Sequence, residues 1–416
     1  TIVKLRRANR LGALVDAAAD PFFAGEVMAA MRDGARMERE GLALEAEGAE
    51  ALRALPESEH VRPLGVEQSN VSIAFDHHAI LKLYRRLQYG AQPDVEVARF
   101  LTEKTDFANT PAYLGQARLA RADGERATVA ACFASGRNQG DAWTVMVEAL
   151  ARALEDSAHS DALQPIQDPE NGAFPYPLNL AGTLGRRTGE LHRALATPTD
   201  DPGFDAAPFG AEDMTALVAD IRGQAQDAFT RLGGVEPTEE IEALRARRSE
   251  ADALLERLAG LRPGGVKSRI HGDYHLGQVL VAEADVYVID FEGEPRRRLA
   301  ERVAKDSPLR DVAGMLRSFD YAAFAAIDRV REASMLAEGA EAAAWAWRDR
   351  AAADFLEGYW EGRGGDARNV DDAALLDLFL LQKAFYEIGY EAANRPRWIS
   401  IPVRGALALL DRLAPG

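Results

Sequence analysis

Cysteine is all but missing from this chain: Cys132 is the single one among 416 residues. No disulfide framework can form within one chain, and the apolar run Val129-Ala130-Ala131-Cys132-Phe133 reads Cys132 as a small buried hydrophobe. Positive charge is in deficit, with 49 Lys and Arg against 66 Asp and Glu and a net charge of −17. That balance argues against a nucleic-acid partner and against an anionic membrane surface. No apolar run is long enough to span a bilayer and no signal peptide is visible, so no membrane association is expected and a cytoplasmic location is the default. An initiator methionine is absent as well, since the chain opens on Thr1-Ile2-Val3-Lys4, which fits a processed product or a piece of a longer polypeptide. No internal repeat interrupts the Ala-rich background. What is present in quantity is hydrophobic side chain, 47% of residues, ample for two or three packed units.

The order of patterns along the chain predicts an α+β fold. Residues 1–60 read as helical, from Leu11-Gly12-Ala13-Leu14 through an Ala/Glu-rich stretch to Leu55. From Val61 the pattern changes to strands: Val61–Glu67, Asn70–Phe75 and Ala79–Tyr84, with Asp76-His77-His78 as one turn. Pro93-Asp94 opens a helix, with Asp94 as its expected cap. Two further strands follow, Tyr113–Leu119 and Arg126–Phe133, joined at Asp123-Gly124. The polar segment 135–142 reads as a hinge, and the remainder, 143–416, as helical apart from one hairpin. Strands, helix, strands, hinge and helical unit is the order of a two-lobed protein-kinase-like fold, with an N-terminal lobe over 1–134 and a C-terminal lobe over 143–416.

The hairpin carries the chemistry. Arg269-Ile-His271-Gly272-Asp273-Tyr-His275-Leu-Gly-Gln278 precedes the strand Val279–Ala282, a turn at Glu283-Ala-Asp285, and the returning strand Val286-Tyr-Val-Ile-Asp290. Protein kinases use H-R-D-x-x-x-x-N and then D-F-G to move a phosphoryl group from magnesium ATP to a hydroxyl. Here Gln278 stands where that pattern has Asn, and Asp290-Phe291-Glu292 stands where it has D-F-G. Asp273 is the expected acid/base, and Gln278 and Asp290 the expected Mg²⁺ ligands. His271 and His275 have the H-x-x-x-H spacing of a zinc helix, but Gly272 and Asp273 argue against a helix and no third ligand stands nearby. In the small lobe, Lys82 interrupts an apolar strand and is expected to reach phosphate oxygens, held by Glu96 on the next helix. The turn containing Ser69, Asn70 and Ser72 offers hydroxyl and backbone donors to the same phosphates.

Taken in order, Glu67-Gln68-Ser69-Asn70, Ile80-Leu-Lys82-Leu-Tyr-Arg85-Arg86, Pro93-Asp94-Val-Glu96, Asn138-Gln-Gly-Asp141-Ala-Trp143, the block at 271–295 and Ser307–Tyr321 resemble the maltokinase-like members of the aminoglycoside-phosphotransferase-like kinases. The resemblance implies ATP and Mg²⁺ as cofactors and phosphorylation of the anomeric hydroxyl of maltose, feeding α-glucan synthesis from trehalose. It implies a trehalose synthase, fused or associated, as partner. It places the sugar against His271, His275 and the C-terminal run holding Lys383, Tyr386, Tyr390, Glu391 and Trp398, and it gives Arg310 and Asp311 a bracing role at the catalytic loop. Family members usually carry an N-terminal cap ahead of the region matching residues 1–60. Two other readings stand beside maltose: another small sugar or amino sugar such as glucosamine, and an inactive regulatory partner of trehalose synthase.

Overall fold

The computed structural model describes residues 3–7, 10–14, 16–64, 70–159, 174–260, 264–333, 339–365 and 371–413. The chain divides into two compact units, Thr1–Asn138 with Val288–Val303, and Gln139–Tyr287 with Ala304–Gly416. It therefore passes between units three times.

The first unit opens with a hairpin of β1 (Val3–Arg7) and β2 (Arg10–Leu14). Helix α1 (Pro21–Asp33) follows; Asp20 caps it by accepting from the Phe22 N–H at 3.0 Å, and Gly34 ends it in the left-handed region at φ 63°. Next come β3 (Arg36–Arg39), β4 (Leu42–Gly48), α2 (Glu50–Ala54), β5 (Val61–Pro63), β6 (Asn70–Phe75), β7 (Ala79–Tyr84), α3 (Pro93–Lys104), β8 (Tyr113–Arg121) and β9 (Arg126–Ala134). Strands β3 to β9 form one antiparallel sheet in the order β3-β4-β8-β9-β7-β6-β5.

The helical reading of residues 1–60 is corrected here. Leu42-Ala-Leu-Glu-Ala-Glu-Gly48 has good helix formers, yet it is a strand paired with β3 on one side and β8 on the other. Neighbouring strands supply hydrogen bonds and bury Ala43 and Ala46, and that tertiary gain overrides a weak local propensity.

Alternation along the strands sorts side chains to two faces. Val71, Ile73, Phe75, Ala79 and Leu81 join Met28 and Met31 of α1 in one core cluster. On the opposite face, Tyr84 packs with Val95 and Ala98 of α3 and with Ala131 and Phe133 of β9. Register sets Ser72 opposite Lys82 and Asn70 opposite Tyr84, so these four share the α3 face.

The second unit is mainly helical. It contains α4 (Ala142–His159), α5 (Ala181–Ala194), the short strand β10 (Ala207–Pro208), α6 (Ala211–Leu232), α7 (Glu239–Ala246), α8 (Arg248–Leu258) and β11 (Val266–Lys267), which pairs with β10. Hairpin strands β12 (Val279–Ala282) and β13 (Asp285–Val288) follow. The turn between them is where it was expected, with Glu283 left-handed at φ 57°. Tyr176 donates to the Glu283 carbonyl at 2.7 Å, and Arg187 of α5 clasps Asp285 with bonds of 2.9 and 2.7 Å. The chain then re-enters the first unit, where it carries the single-turn helix α9 (Leu299–Arg302). It leaves again for α10 (Leu309–Glu332), α11 (Ala340–Arg363), α12 (Asp372–Asn394) and α13 (Ser400–Leu413). Among the described residues no helix is long and apolar enough to cross a membrane.

Candidate functional site

Each unit holds one group of chemically competent residues. In the first unit the group grows from the α3 face of the sheet. Lys82 emerges from β7, and its Nζ donates to Asp94 Oδ2 at 2.8 Å and to Asp290 Oδ1 at 2.6 Å, with Glu292 Oε1 3.7 Å away. The expectation that Glu96 would hold this lysine is corrected: its partner on α3 is Asp94. Pro93 starts the helix one residue before Asp94, so Asp94 lies in the first turn and faces the sheet, while Gln92 occupies the cap position. Asp94 is only 5% exposed in its side chain, and it also accepts from the Phe291 N–H at 3.2 Å. Burial works against the Lys82 charge, but Asp94 and Asp290 outweigh it and hold the ammonium well above its ordinary range.

Asp290 itself sits at φ 66°, a left-handed conformation that Asp tolerates better than most residues. Gly293 follows at φ 70°. Asn70 does not stand clear as a phosphate donor. It is buried and gives its Nδ2 hydrogen to Glu292 at 2.7 Å. Ser72 is buried opposite Lys82, and Ser69 lies outside the described residues. Burial is the largest influence on Glu292, and together with Asp290 and Asp94 it pushes that carboxyl up to about 7 against the pull of Lys82 and Asn70.

One carboxylate oxygen from each of Asp94, Asp290 and Glu292 lies within 4.8 Å of the others. Three hard oxygen donors, one of them 31% exposed, match the chemistry of Mg²⁺. Asp94 and Glu292 were not singled out by sequence reasoning. Asp94 looked like a cap, and Glu292 occupies a position that is glycine in the kinase pattern.

In the second unit the group is built on the loop before β12. Gly272 takes φ 83°, the sharp turn expected of it. Asp273 follows it, half-buried. The loop is clamped from α10: Asp311 accepts the His271 N–H at 2.7 Å and the Gly272 N–H at 2.9 Å. Ser318, two turns along, accepts the Leu276 N–H at 3.1 Å. A methyl group added at Gly314, between them, would sit 2.6 Å from the Tyr274 carbonyl oxygen, so only glycine lets α10 approach this closely. The bracing role expected for Asp311 is therefore present.

Asp311 is in turn held by α5 and α11. His192 Nε2 lies 3.0 Å from Asp311 Oδ2, and His192 Nδ1 lies 3.2 Å from the Tyr359 hydroxyl. Burial keeps His192 below its ordinary range, hence neutral. A carboxylate only accepts, so Nε2 carries the proton and Nδ1 takes the Tyr359 hydrogen. Burial alone would raise the Asp311 carboxyl, but His192 and the Gly272 N–H more than offset it and hold it low.

His271 and His275, expected against substrate, have visible work inside the loop. His271 is 1% exposed, and its Nδ1 accepts the Asp273 N–H at 3.4 Å. His275 Nδ1 accepts the Gly277 N–H at 3.1 Å and so caps the turn Leu276–Gln278 that delivers Gln278 to β12. No helix runs through the two histidines, as the Gly272-Asp273 step between them predicts.

The expected sugar segment lies on α12 and just after it. Lys383, Tyr386 and Tyr390 share a half-buried face, and Lys383 Nζ stands 5.5 Å from the Tyr386 ring centre. Arg395 covers the rings of Tyr390 at 5.4 Å and Trp398 at 4.8 Å. Trp398 also packs on Tyr321 and Phe324, with ring centres 6.0 and 5.8 Å away. Glu391, expected to meet sugar hydroxyls, is 1% exposed and already accepts from Tyr321 at 3.1 Å and Arg395 at 2.7 Å. The structure makes it an internal anchor of the segment.

Comparison with known proteins agrees with this fold. A glucosamine kinase of Mycolicibacterium smegmatis is 29% identical over 352 residues, covering 84% of this chain and 79% of that protein. One of Streptacidiphilus jiangxiensis is 26% identical over 356 residues, covering 85% and 73%. A solved glucosamine kinase in complex with glucosamine, ADP and inorganic phosphate superposes with a TM-score of 0.71 at 23% identity, covering 95% of this chain and 84% of that one. The α+β, kinase-like fold read from the sequence is thus the fold observed. Residues 60–372 match the model of the APH phosphotransferase enzyme family, and the chain belongs to that family.

Proposed function

We propose that this protein is an ATP-dependent sugar kinase whose acceptor is an amino sugar of the glucosamine class. The observation that carries the reading is the 2.6 Å contact of Lys82 with Asp290, which sets a phosphate-seeking cation beside a metal-seeking carboxylate. Asp94, Asp290 and Glu292 are the residues that would hold Mg²⁺, with Gln278 as the further ligand expected from the sequence. When bound, that ion neutralises charge on the nucleotide phosphates.

The protein's own groups do the rest. Lys82 binds phosphate oxygens. Asp273, on a loop fixed by Asp311 and Ser318, orients the acceptor hydroxyl and takes its proton as the oxygen attacks the γ-phosphorus. The bond from that phosphorus to the β–γ bridging oxygen breaks, and ADP leaves. Positioning and charge stabilisation supply most of the acceleration.

The maltose reading drawn from motif resemblance gives way to its amino-sugar alternative, because the two relatives described above are glucosamine kinases. An acceptor panel of glucosamine, glucose and maltose with Mg·ATP, products identified by ³¹P and ¹³C NMR, tests the proposal. Glucosamine should give the highest kcat/KM. A higher value for maltose would restore the first reading, and no phosphorylated sugar from any acceptor would reject kinase activity on sugars.

A further inference from the structure

Helix α5 holds the catalytic loop at two buried points one turn apart. Thr188 gives its hydrogen to the Leu184 carbonyl at 2.7 Å, so its oxygen takes the hydrogen of Tyr274, the residue after Asp273, at 2.8 Å. His192 reaches the loop through Asp311. The proposed reaction moves no proton through this histidine, yet its ring is fully buried.

The ring and the loop draw on the same carboxylate oxygen. Asp311 Oδ2 accepts from His192 Nε2 at 3.0 Å and from the His271 N–H at 2.7 Å, while Oδ1 accepts the Gly272 N–H at 2.9 Å. A second proton, on Nδ1, would make the ring a cation and strengthen its pull on the carboxylate. Oδ2 would then be drawn toward α5 at the expense of the His271 peptide.

The group at Nδ1 decides whether that proton arrives. Tyr359 of α11 lies there at 3.2 Å, edge to face with the imidazole, the ring centres 5.6 Å apart and the planes at 78°. Burial holds the Tyr359 hydroxyl above its ordinary range, so it keeps its hydrogen and serves as a donor. A hydrogen bond to the neutral form of a base disfavours the charged form. Of the other groups facing the ring, Arg363, one turn beyond Tyr359 on α11, and His271 on the loop oppose a second proton, and Asp311 of α10 favours it. Asp372 of α12 faces Tyr359 and opposes loss of the hydroxyl hydrogen.

We propose that Tyr359 is a positioning residue for phosphoryl transfer: by occupying His192 Nδ1 it keeps the single ring hydrogen on Nε2, and through Asp311 it fixes the His271 and Gly272 peptides that place Asp273. The role rests on the reading of Asp273 as acid/base given above. Tyr359 touches no reacting atom, and it acts through His192.

The test uses the whole protein with ¹⁵N-labelled histidine, so that the His192 ring and the His271 amide are read without turnover. The wild-type ring should carry its hydrogen on Nε2 alone from pH 6 to 8. In Tyr359→Phe, which removes one oxygen and adds no volume, the ring should gain a second proton as pH falls through about 6.5, the ordinary imidazole value. The His271 amide of that variant should exchange about tenfold faster than wild type at pH 6, the loss expected for one hydrogen bond. With glucosamine and Mg·ATP, the ratio of wild-type to Tyr359→Phe kcat should grow about threefold or more from pH 8 to pH 6, and KM for Mg·ATP should stay within about twofold. His192→Gln, whose amide can still donate to Asp311 and takes no proton, should abolish that growth when combined with Tyr359→Phe. A hydroxyl that served packing alone would lower kcat equally in both backgrounds and overturn the proposal. Ring and amide signals do not depend on the acceptor, so a failure of glucosamine in the kinase assay is separable from a failure here. A wild-type ring with its hydrogen on Nδ1, or doubly protonated at pH 7, would overturn the proposal without any variant, and so would a Tyr359→Phe ring that titrates as wild type does.

Discussion

At the scale of single residues, buried charge decides most of what this protein can do. Asp311 is surrounded by donors: two backbone N–H groups of the catalytic loop and the His192 ring. Asp311→Ala leaves all three without an acceptor in a dry interior, so a loss of roughly 3–5 kcal/mol is expected. Urea denaturation would measure it, and a loss below about 1 kcal/mol would mean that the loop does not lean on α10. Glu292 gives a second expectation, with a sign that can be worked out. Its carboxyl ordinarily titrates at 4.5 and is pushed up to about 7 here, so the folded protein holds this proton more tightly than the unfolded chain does. The stabilising contribution is complete below the ordinary value and is lost as pH rises through about 7, by about 3 kcal/mol in all. Melting curves of nucleotide-free, magnesium-free protein from pH 5 to 8 should show this decline, and Glu292→Gln should remove it. A slope unchanged by the substitution would place the buried proton elsewhere.

Between elements, glycine sets the spacing. Gly185 and Gly189 of α5 face Gly358 and Gly362 of α11, and a methyl group at any of the four would overlap backbone of the opposite helix. This close approach lets His192 of α5 reach Tyr359 of α11 at 3.2 Å. Gly358→Ala should therefore cost at least about 1–3 kcal/mol by wedging the helices apart. Gly223→Ala, in α6 with nothing within 4 Å of the added methyl, should instead stabilise slightly, by about 0.5–1 kcal/mol. Matching denaturation midpoints for the two variants would contradict the helix-spacing argument. Both glycine pairs are visible in the sequence as i, i+4 repeats, but the chain alone does not say that they meet. What a sequence does reveal is local. The turn at Gly272, the β12–β13 hairpin, strands β6 to β9 and the start of α3 at Pro93 could all be read from spacing and turn chemistry. Partner choice could not. Whether Asp94 or Glu96 takes Lys82 depends on two residues of helix phase against a sheet. Whether Leu42–Gly48 is helix or strand depends on neighbours far away in the chain. Glu391 had the right chemistry for a sugar, and only packing shows it turned inward onto Tyr321 and Arg395.

For the molecule as a whole, the division of chemistry between units gives two separable phenotypes. Lys82, Asp94, Asp290 and Glu292 belong to the first unit, and Asp273 belongs to the second. Asp290→Ala should lose most of the thermal stabilisation that Mg·AMP-PNP gives the wild type. Asp273→Asn should keep that stabilisation while turnover falls on the order of 10²–10⁴-fold. A melting-point series against nucleotide concentration, paired with single-turnover assays, distinguishes them. Equal loss of nucleotide binding in both variants would count against assigning the phosphate work to the first unit.

The return of Val288–Val303 to the first unit has a consequence for biogenesis. A ribosome finishes the seven strands of the sheet long before it makes Asp290 and Glu292, so Lys82 and Asp94 wait for their partners while much of the second unit is being translated. The usual vectorial order, first domain folded before the next begins, is closed to this chain. Its first unit reaches its final form only when the polypeptide has passed residue 303, and any stop codon before that point leaves neither unit whole.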